Sequence, residues 1–574
     1  MFIRTEKTLL SPLHSLLSKP FEFNASNSLK NGPFSKGRLK DRSDMAALAA
    51  LCAVYDSSKM ALLPYLSNLR IELETIYSVR LTLEGRFRDI CQVIFRHAPT
   101  AFNYDMDPSD YLIFDHGQIQ LERLYDTLQI RRMGHVRPCA SDLLIRIIRF
   151  LLLNDALVFA LSGLAKVEQP QPKHFSLRVF DEAALHDMRR LWFSRSISQE
   201  SSVADLARIK HAADMRAVPG QELWEALIDS LLDKYFAIAY NNLTTEGRVL
   251  RTVQHLRGLV GVVAMILTRQ AHHQDVTMNR SSLAECGLDY SFVSGILERL
   301  QRSLVTDVFL WREGNKLICN PGASSTVMRK YAVDLAKEFD EVQALRDHVI
   351  GDFFEKQTII ERLRTDPQFN SRYNVFEHFD RDKVLDDAVN EADVDLILFD
   401  RLLQHYYFIQ VKYTLPGQIA GFANEIKQLQ NDISGGLHQI REAKRLLESG
   451  QLVKTLAHRG IHDAHNGNCS FLLLHNIATY DYQITEDGIA LYEWASFRNL
   501  LRDCEMSFGS TDKPLRVIKL PKPVLLSDPQ HVIDALFKYH PVFQRQQENI
   551  WANEQATTTF TVENAHIRVE GLGI

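Results

Sequence analysis

Apolar positions recur at three- and four-residue spacing over 45–55, 59–88, 141–165 and 221–240, the pattern of amphipathic helices that bury one face. Few β-branched alternations interrupt them, so 44–247 is expected to be a helical domain. Upstream, 1–43 is expected to be a flexible arm, because 23–43 is rich in Asn, Ser, Gly and Lys. The stretch 167–180 carries Pro170 and Pro172 and reads as an irregular link between helical subdomains. No internal period indicates a solenoid.

From 248 to 330 the pattern changes. A helix is expected over 249–271. Ser282 is placed to cap a short helix with Glu285 three residues on. Gly287 marks a turn, and Asp289 is placed to cap a second helix that buries Phe292, Ile296, Leu297 and Leu300. A strand over 305–311, a tight turn at Glu313-Gly314-Asn315 and a returning strand over 316–320 complete the plan. Helix, turn, helix, hairpin is the order of a winged helix. Its second helix, 290–302, directs Ser291, Ser294, Arg299 and Arg302 outward, a face suited either to DNA or to a protein partner.

The segment 331–510 alternates helix and strand. Helical spacing over 333–363 is followed by apolar runs of strand length at 373–379, 394–399, 406–413, 470–475 and 489–494. A helical region, 418–449, separates the third run from the fourth, with Gly435-Gly436 expected to break it in two. This is an α/β layer arrangement with a mixed central sheet. A C-terminal extension, 511–574, follows. The fold class expected is therefore multidomain α and α/β.

Composition narrows the function. Lys plus Arg is 66 against 71 Asp plus Glu, a net charge of -5, so any nucleic-acid contact must come from locally gathered basic residues. The 7 cysteines are scattered and never in C-x-x-C spacing, against a disulfide framework or a thiolate zinc site and in keeping with a reducing cytoplasm. Residues 1–17 carry Glu6 and lack a long apolar core, so no secretory signal is expected. The most apolar run, 143–165, holds Arg146, Arg149 and Asp155 and reads as a buried helix pair rather than a membrane span.

Candidate chemistry concentrates in two neighbouring strands. The run 391–400 places Asp393 and Asp395 on one face of an otherwise apolar strand. After a short turn, the run 405–413 places Gln410 and Lys412 on one face. Lys and Asp in central strands are costly to bury alone, and a hairpin joining Asp395, Gln410 and Lys412 offsets that cost. The same cluster offers hard oxygen ligands to a divalent cation: the Asp395 carboxylate, the Gln410 amide oxygen and the Val411 carbonyl. Lys412 projects beside these ligands without coordinating, where an ammonium would orient water and stabilise charge on phosphate.

Over 344–502, under a third of the chain, the sequence resembles the PD-(D/E)XK, or restriction-endonuclease-like, nuclease superfamily. Gly351-Asp-Phe-Phe-Glu355, followed by Ile359, Ile360 and Leu363, resembles the glutamate-bearing first helix. Ala392-Asp-Val-Asp395-Leu-Ile-Leu resembles the aspartate strand, and Ile409-Gln410-Val411-Lys412 the Glu/Gln-x-Lys strand. The resemblance implies Mg2+ (or Mn2+) held by Asp395 and Gln410, with Glu355 on the metal or its water and Lys412 catalytic. Glu361 and Asp393 are the rivals of Glu355 and Asp395. Glutamine in place of the usual glutamate removes one negative charge, which implies weaker metal affinity.

Lys427, His438, Arg441, Lys444 and Arg445 interleave with apolar residues downstream and read either as a phosphate-contacting face or as a solvated one. His458, His462, Asp463 and His465 share a glycine-containing loop, with zinc binding the alternative to a loop near DNA; His272-His273 reads as another loop feature. The function expected is a metal-dependent endonuclease acting on DNA, in a restriction or anti-invader role by architectural analogy. A homodimer, or a protein partner held by the helical half, would accompany it, and no membrane. The alternative is a winged-helix DNA-binding regulator or scaffold on a degenerate nuclease fold. The sequence does not separate DNA from RNA as substrate.

Overall fold

The computed structural model describes residues 23–31, 44–77, 141–194, 196–197, 221–238, 248–271, 275–285, 287–302, 310–319, 353–377, 394–413, 433–477, 480–508 and 516–573. The chain is of mixed α/β class.

Helix α1 (Ala25–Asn31) stands where a flexible arm is expected. Its first amides are satisfied from a distant helix, α2 (Met45–Tyr77): Ala25 N and Ser26 N donate to the Asp56 carboxylate, each at 2.9 Å. Lys59, one turn on, donates to the Phe23 carbonyl at 2.5 Å. Composition cannot register a cap supplied across thirty residues of chain. Helix α3 (Ser141–Leu161) packs on α2 through the stacked rings of Tyr55 and Phe150 and through Tyr55 Oη donating to Asn154 Oδ1 at 3.0 Å. The apolar run 143–165 is thus one helix paired with α2, not a helix pair in itself. Among the described residues one stretch, Met45–Tyr65 of α2, is long and apolar enough to cross a membrane by length and composition.

The expected irregular link is a β-hairpin, β1 (Ala165–Gln171) and β2 (His174–Val179). Its prolines conceal it in the sequence for a physical reason. Pro170 lies in an edge strand at a register irregularity, where no ladder bond is lost. Pro172 starts a two-residue turn that Lys173 completes at φ +63°. Helix α4 (182–194) follows.

Helices α5 (Gln221–Phe236) and α6 (Arg248–Ala271) cross closely. A Cβ on Gly261 of α6 would lie 3.1 Å from Ile228 Cδ1 of α5, and Arg257 Nε bonds Asp229 at 2.5 Å. Strand β3 (Val276–Thr277), helix α7 (Arg280–Glu285), helix α8 (Tyr290–Arg302), β4 (Leu310–Glu313) and β5 (Lys316–Cys319) come next. Their antiparallel sheet runs β3-β5-β4. Asn279, not Ser282, caps α7: Ser282 N donates to Asn279 Oδ1 at 2.7 Å, and Ser282 sits inside the helix. Asp289 caps α8 as expected, accepting from Phe292 N at 2.7 Å. The hairpin turn is at Gly314-Asn315, with Gly314 at φ +61°. Residues 303–309 and 320–352 lie outside the described residues.

A π-helix, Phe353–Glu361, opens the next unit. Strands β6 (Tyr373–Glu377), β7 (Leu396–Asp400) and β8 (His405–Lys412) form an antiparallel meander. Helices α9 (Ser434–Glu448) and α10 (Val453–His458) cross over to β9 (Cys469–His475), which runs parallel to β8. The short β10 (Gln483–Ile484), which the apolar pattern does not reveal, pairs with β11 (Ala490–Glu493), and helix α11 (Trp494–Leu501) leads away. The six-stranded mixed sheet is ordered β10-β11-β9-β8-β7-β6. The five longer strands match the predicted runs because both faces are covered and the strands read as near-continuous apolar segments.

Helix α9 lies on one face: its Gly436 touches Leu473 and Lys412. On the other face Tyr373 Oη donates to Leu501 O at 3.0 Å, and Tyr492 Oη to Leu526 O at 2.9 Å. Gly435-Gly436 form the first turn of α9 rather than a break between described helices; 414–432 lie outside the described residues.

The remainder comprises a small hairpin of β12 (Met506–Phe508) and β13 (Arg516–Ile518), helices α12 (Pro529–Tyr539) and α13 (Gln544–Gln555), and the hairpin β14 (Thr557–Val562) and β15 (Ala565–Glu570). Strand β15 pairs in parallel with β2, giving a sheet ordered β1-β2-β15-β14. Arg189 of α4 clamps Glu554 of α13 through bonds of 2.6 and 3.0 Å. The C-terminal extension thereby completes a sheet begun some four hundred residues earlier, which local periodicity cannot foresee.

Candidate metal centre

The antiparallel ladder between β7 and β8 pairs Leu396 with Ile409. Asp395, in the bend just before β7, donates its N–H to Ile409 O at 3.1 Å. Gln410 and Lys412, two positions apart on β8, share a face. Phe408 lies on that face too, its ring 5.1 Å from that of Phe471, and Asp395 is held at the same end of the sheet by its bonds to Ile409 and Val411.

Asp395 and Gln410 are buried, at 6% and 1% exposure. A charge so placed needs donors. Val411 N supplies one to Asp395 Oδ2 at 2.6 Å. Gln410 Oε1, by contrast, is buried with no hydrogen-bond partner among the described residues. An unsatisfied buried acceptor costs about 1–3 kcal/mol, and in native proteins such an atom calls for an explanation such as an ion. An orphaned amide oxygen one residue from the amide that holds the Asp395 carboxylate fits a hard cation. Lys412, half-buried, ends β8. A Cβ on Gly436 would lie 2.7 Å from Lys412 Cγ and 2.9 Å from its Cε, so only glycine lets α9 lie so closely over the lysine stem.

Glu355 is half-buried in the π-helix, a rare winding found most often at functional sites. Its neighbour Phe354 packs its ring 5.0 Å from that of Tyr413, the residue after Lys412. The rival Glu361 is exposed and lies beside Arg364. Asp393 is outside the described residues. Among the described residues no group of three or more His, Cys, Asp or Glu side chains is placed to hold a metal ion; the oxygens that would hold one at the end of β8 are the Asp395 carboxylate, the Gln410 amide and the Val411 carbonyl.

The sequence pattern does not single out His475. It pairs in register with Lys412 on one side and Glu493 on the other, at the carboxyl ends of the three parallel strands. Burial pushes its pKa down to about 3, with the Tyr480 backbone pulling weakly the other way. The ring is therefore neutral, and its Nδ1 accepts from Ile477 N at 3.1 Å. A single histidine closing an apolar strand gives no periodic signal, and only the register reveals it.

The other expected contacts are placed as follows. Arg441 bonds the Asp487 carboxylate at 3.0 and 3.3 Å, and Lys444 bonds the Asp487 carbonyl. Burial works to raise the Asp487 carboxyl, but the bonds from Arg441 and Thr485 outweigh it and hold it below the usual range. Arg445 pairs with Glu442 at 2.9 Å. These cations are engaged within the fold. Lys427 and His272-His273 lie outside the described residues, as do the side chains of Arg299 and Arg302 at the end of α8. The histidine loop is tied down: Tyr406 Oη donates to Asp463 Oδ1 at 2.5 Å, and His465 Nδ1 accepts from Gly467 N at 3.0 Å. No disulfide forms among Cys52, Cys469 and Cys504, and burial pushes the Cys469 and Cys504 thiols up to about 12, so neither is a ready nucleophile or metal ligand.

No family model matches the chain, and neither a curated protein nor a solved structure matches it.

Proposed function

We propose that 331–510 is a metal-dependent nuclease domain of the PD-(D/E)XK type that hydrolyses phosphodiester bonds, with DNA as the substrate. The observation that carries this reading is the buried Gln410 Oε1, without a hydrogen-bond partner among the described residues, one residue from the Val411 amide that holds the Asp395 carboxylate, with Lys412 two residues on along the same face. Asp395, Gln410 and the Val411 carbonyl would hold Mg2+ or Mn2+, with Glu355 approaching from the π-helix. When bound, the ion polarises the phosphate and lowers the pKa of nearby water. Val411 N fixes Asp395 so that its charge faces the site without rearrangement. Lys412 Nζ, steered by the backbone at Gly436, donates to a non-bridging phosphate oxygen or holds the attacking water.

The order α6, β3, α7, α8, β4, β5 is that of a winged helix, and α8 with Arg299 and Arg302 is its candidate DNA face. That order also favours a second reading, a DNA-binding regulator whose nuclease fold is inert. Plasmid nicking by the intact chain, with and without Mg2+, separates the two. The nuclease reading expects Mg2+-dependent nicking that Lys412→Ala abolishes while DNA binding persists. Binding by the wild type without nicking in any divalent cation favours the regulator.

A further inference from the structure

The C-terminal turn of α5 sits between the two elements that carry the candidate centre. The last carbonyls of a helix lack intrahelical partners and must find donors elsewhere. In α5 they find two hydroxyls. Thr358 Oγ1, three residues after Glu355 on the π-helix, donates to Ala237 O at 2.5 Å. Tyr413 Oη, one residue after Lys412, donates to Phe236 O at 3.0 Å. Ala237 is held at φ +54°, a left-handed conformation unfavourable for a residue with a Cβ. One turn back, Asp233 Oδ2 meets Arg362 Nη1 at 3.5 Å and Arg498 Nη1 at 3.2 Å. The first arginine follows the π-helix and the second belongs to α11.

We propose that the end of α5 is a splint that fixes the Glu355 helix against the end of the Lys412 strand, and that Thr358 and Tyr413 are positioning residues for the metal centre. The inference rests on the nuclease reading and adds what sets its geometry. Phe354 and Tyr413 touch directly, but a ring contact alone leaves the helix free to slide. Two hydroxyls locked to consecutive carbonyls of a third element remove that freedom. A displacement of about 1 Å at such a centre costs on the order of a hundredfold in rate. The other flank of α5 rests on α6 through Ile228, Gly261 and the Asp229–Arg257 pair, so the splint also ties the centre to the helix-and-hairpin unit.

The test uses the intact chain with Thr358→Val, Tyr413→Phe and the double variant, each removing only donor oxygens, and Thr358→Ser as the rescue. Two quantities are read: amide hydrogen exchange of 353–361 and 405–413, and the Mg2+ concentration giving half-maximal DNA cleavage. Valine and phenylalanine variants are expected to exchange faster in 353–361 and to need several-fold more Mg2+, with Thr358→Ser like wild type. Unchanged exchange overturns the splint. Faster exchange with wild-type Mg2+ dependence overturns the positioning role. Wild-type protein that never cleaves overturns the nuclease reading itself, while the exchange arm still reports whether the splint exists.

Discussion

Val411 N holds the Asp395 carboxylate at 2.6 Å, while the amide oxygen of the adjoining Gln410 is buried with no hydrogen-bond partner among the described residues. A fold that keeps an unsatisfied acceptor at this depth gives up stability there, and a bound cation would restore it.

Replacing Gln410 by leucine removes the stranded oxygen at similar volume. The metal-free protein is expected to gain or hold stability, by up to about 1–2 kcal/mol, while Mg2+-dependent cleavage is lost. Urea unfolding followed alongside cleavage checks both halves. A variant that is clearly destabilised and still cuts would show that the amide serves packing alone.

Gly436→Ala sets a methyl 2.7 Å from both Lys412 Cγ and Leu473 Cδ1, so the lysine must move. Cleavage is expected to fall by about tenfold or more, with DNA affinity unchanged. Gly435→Ala is the adjacent control: nothing lies within 4 Å of its Cβ. It is expected to stabilise the helix by about 0.4–1 kcal/mol and leave cleavage alone. Equal effects at the two glycines would remove the role given to the Lys412 stem.

His475 has a folded pKa pushed down to about 3 from an ordinary value of 6.5. The unfolded chain therefore binds the proton first as pH falls. Stability is complete above about pH 6.5 and declines by roughly 1.4 kcal/mol per unit down to pH 3, where the folded ring also protonates. His475→Leu is expected to flatten that part of the pH profile in denaturant titrations. An unchanged slope would place the acid sensitivity on other groups.

Several of these features are legible in sequence and others are not. The strand bearing Gln410 and Lys412, and the strand that Asp395 precedes, announce themselves because central strands are apolar on both faces, leaving polar exceptions conspicuous. The Asp289 cap is local and readable, whereas the Asn279 cap of α7 is masked by a nearby serine of similar chemistry. What escapes is long-range: Asp56 capping α1, β15 pairing with β2, and His475 falling in register with Lys412. The hairpin at 165–179 hides behind Pro170 and Pro172, whose edge-strand and turn positions become harmless only once the sheet is known. The engagement of Arg441 and Lys444 by Asp487 likewise depends on a turn some forty residues away.

The most direct measurement is Mn2+ binding to the intact chain by electron paramagnetic resonance, comparing wild type with Asp395→Ala. The wild type is expected to bind an ion that the alanine variant loses and that Mg2+ displaces. Wild-type protein that leaves Mn2+ free, or an alanine variant that holds it equally well, would contradict a cation site shared by Asp395 and Gln410.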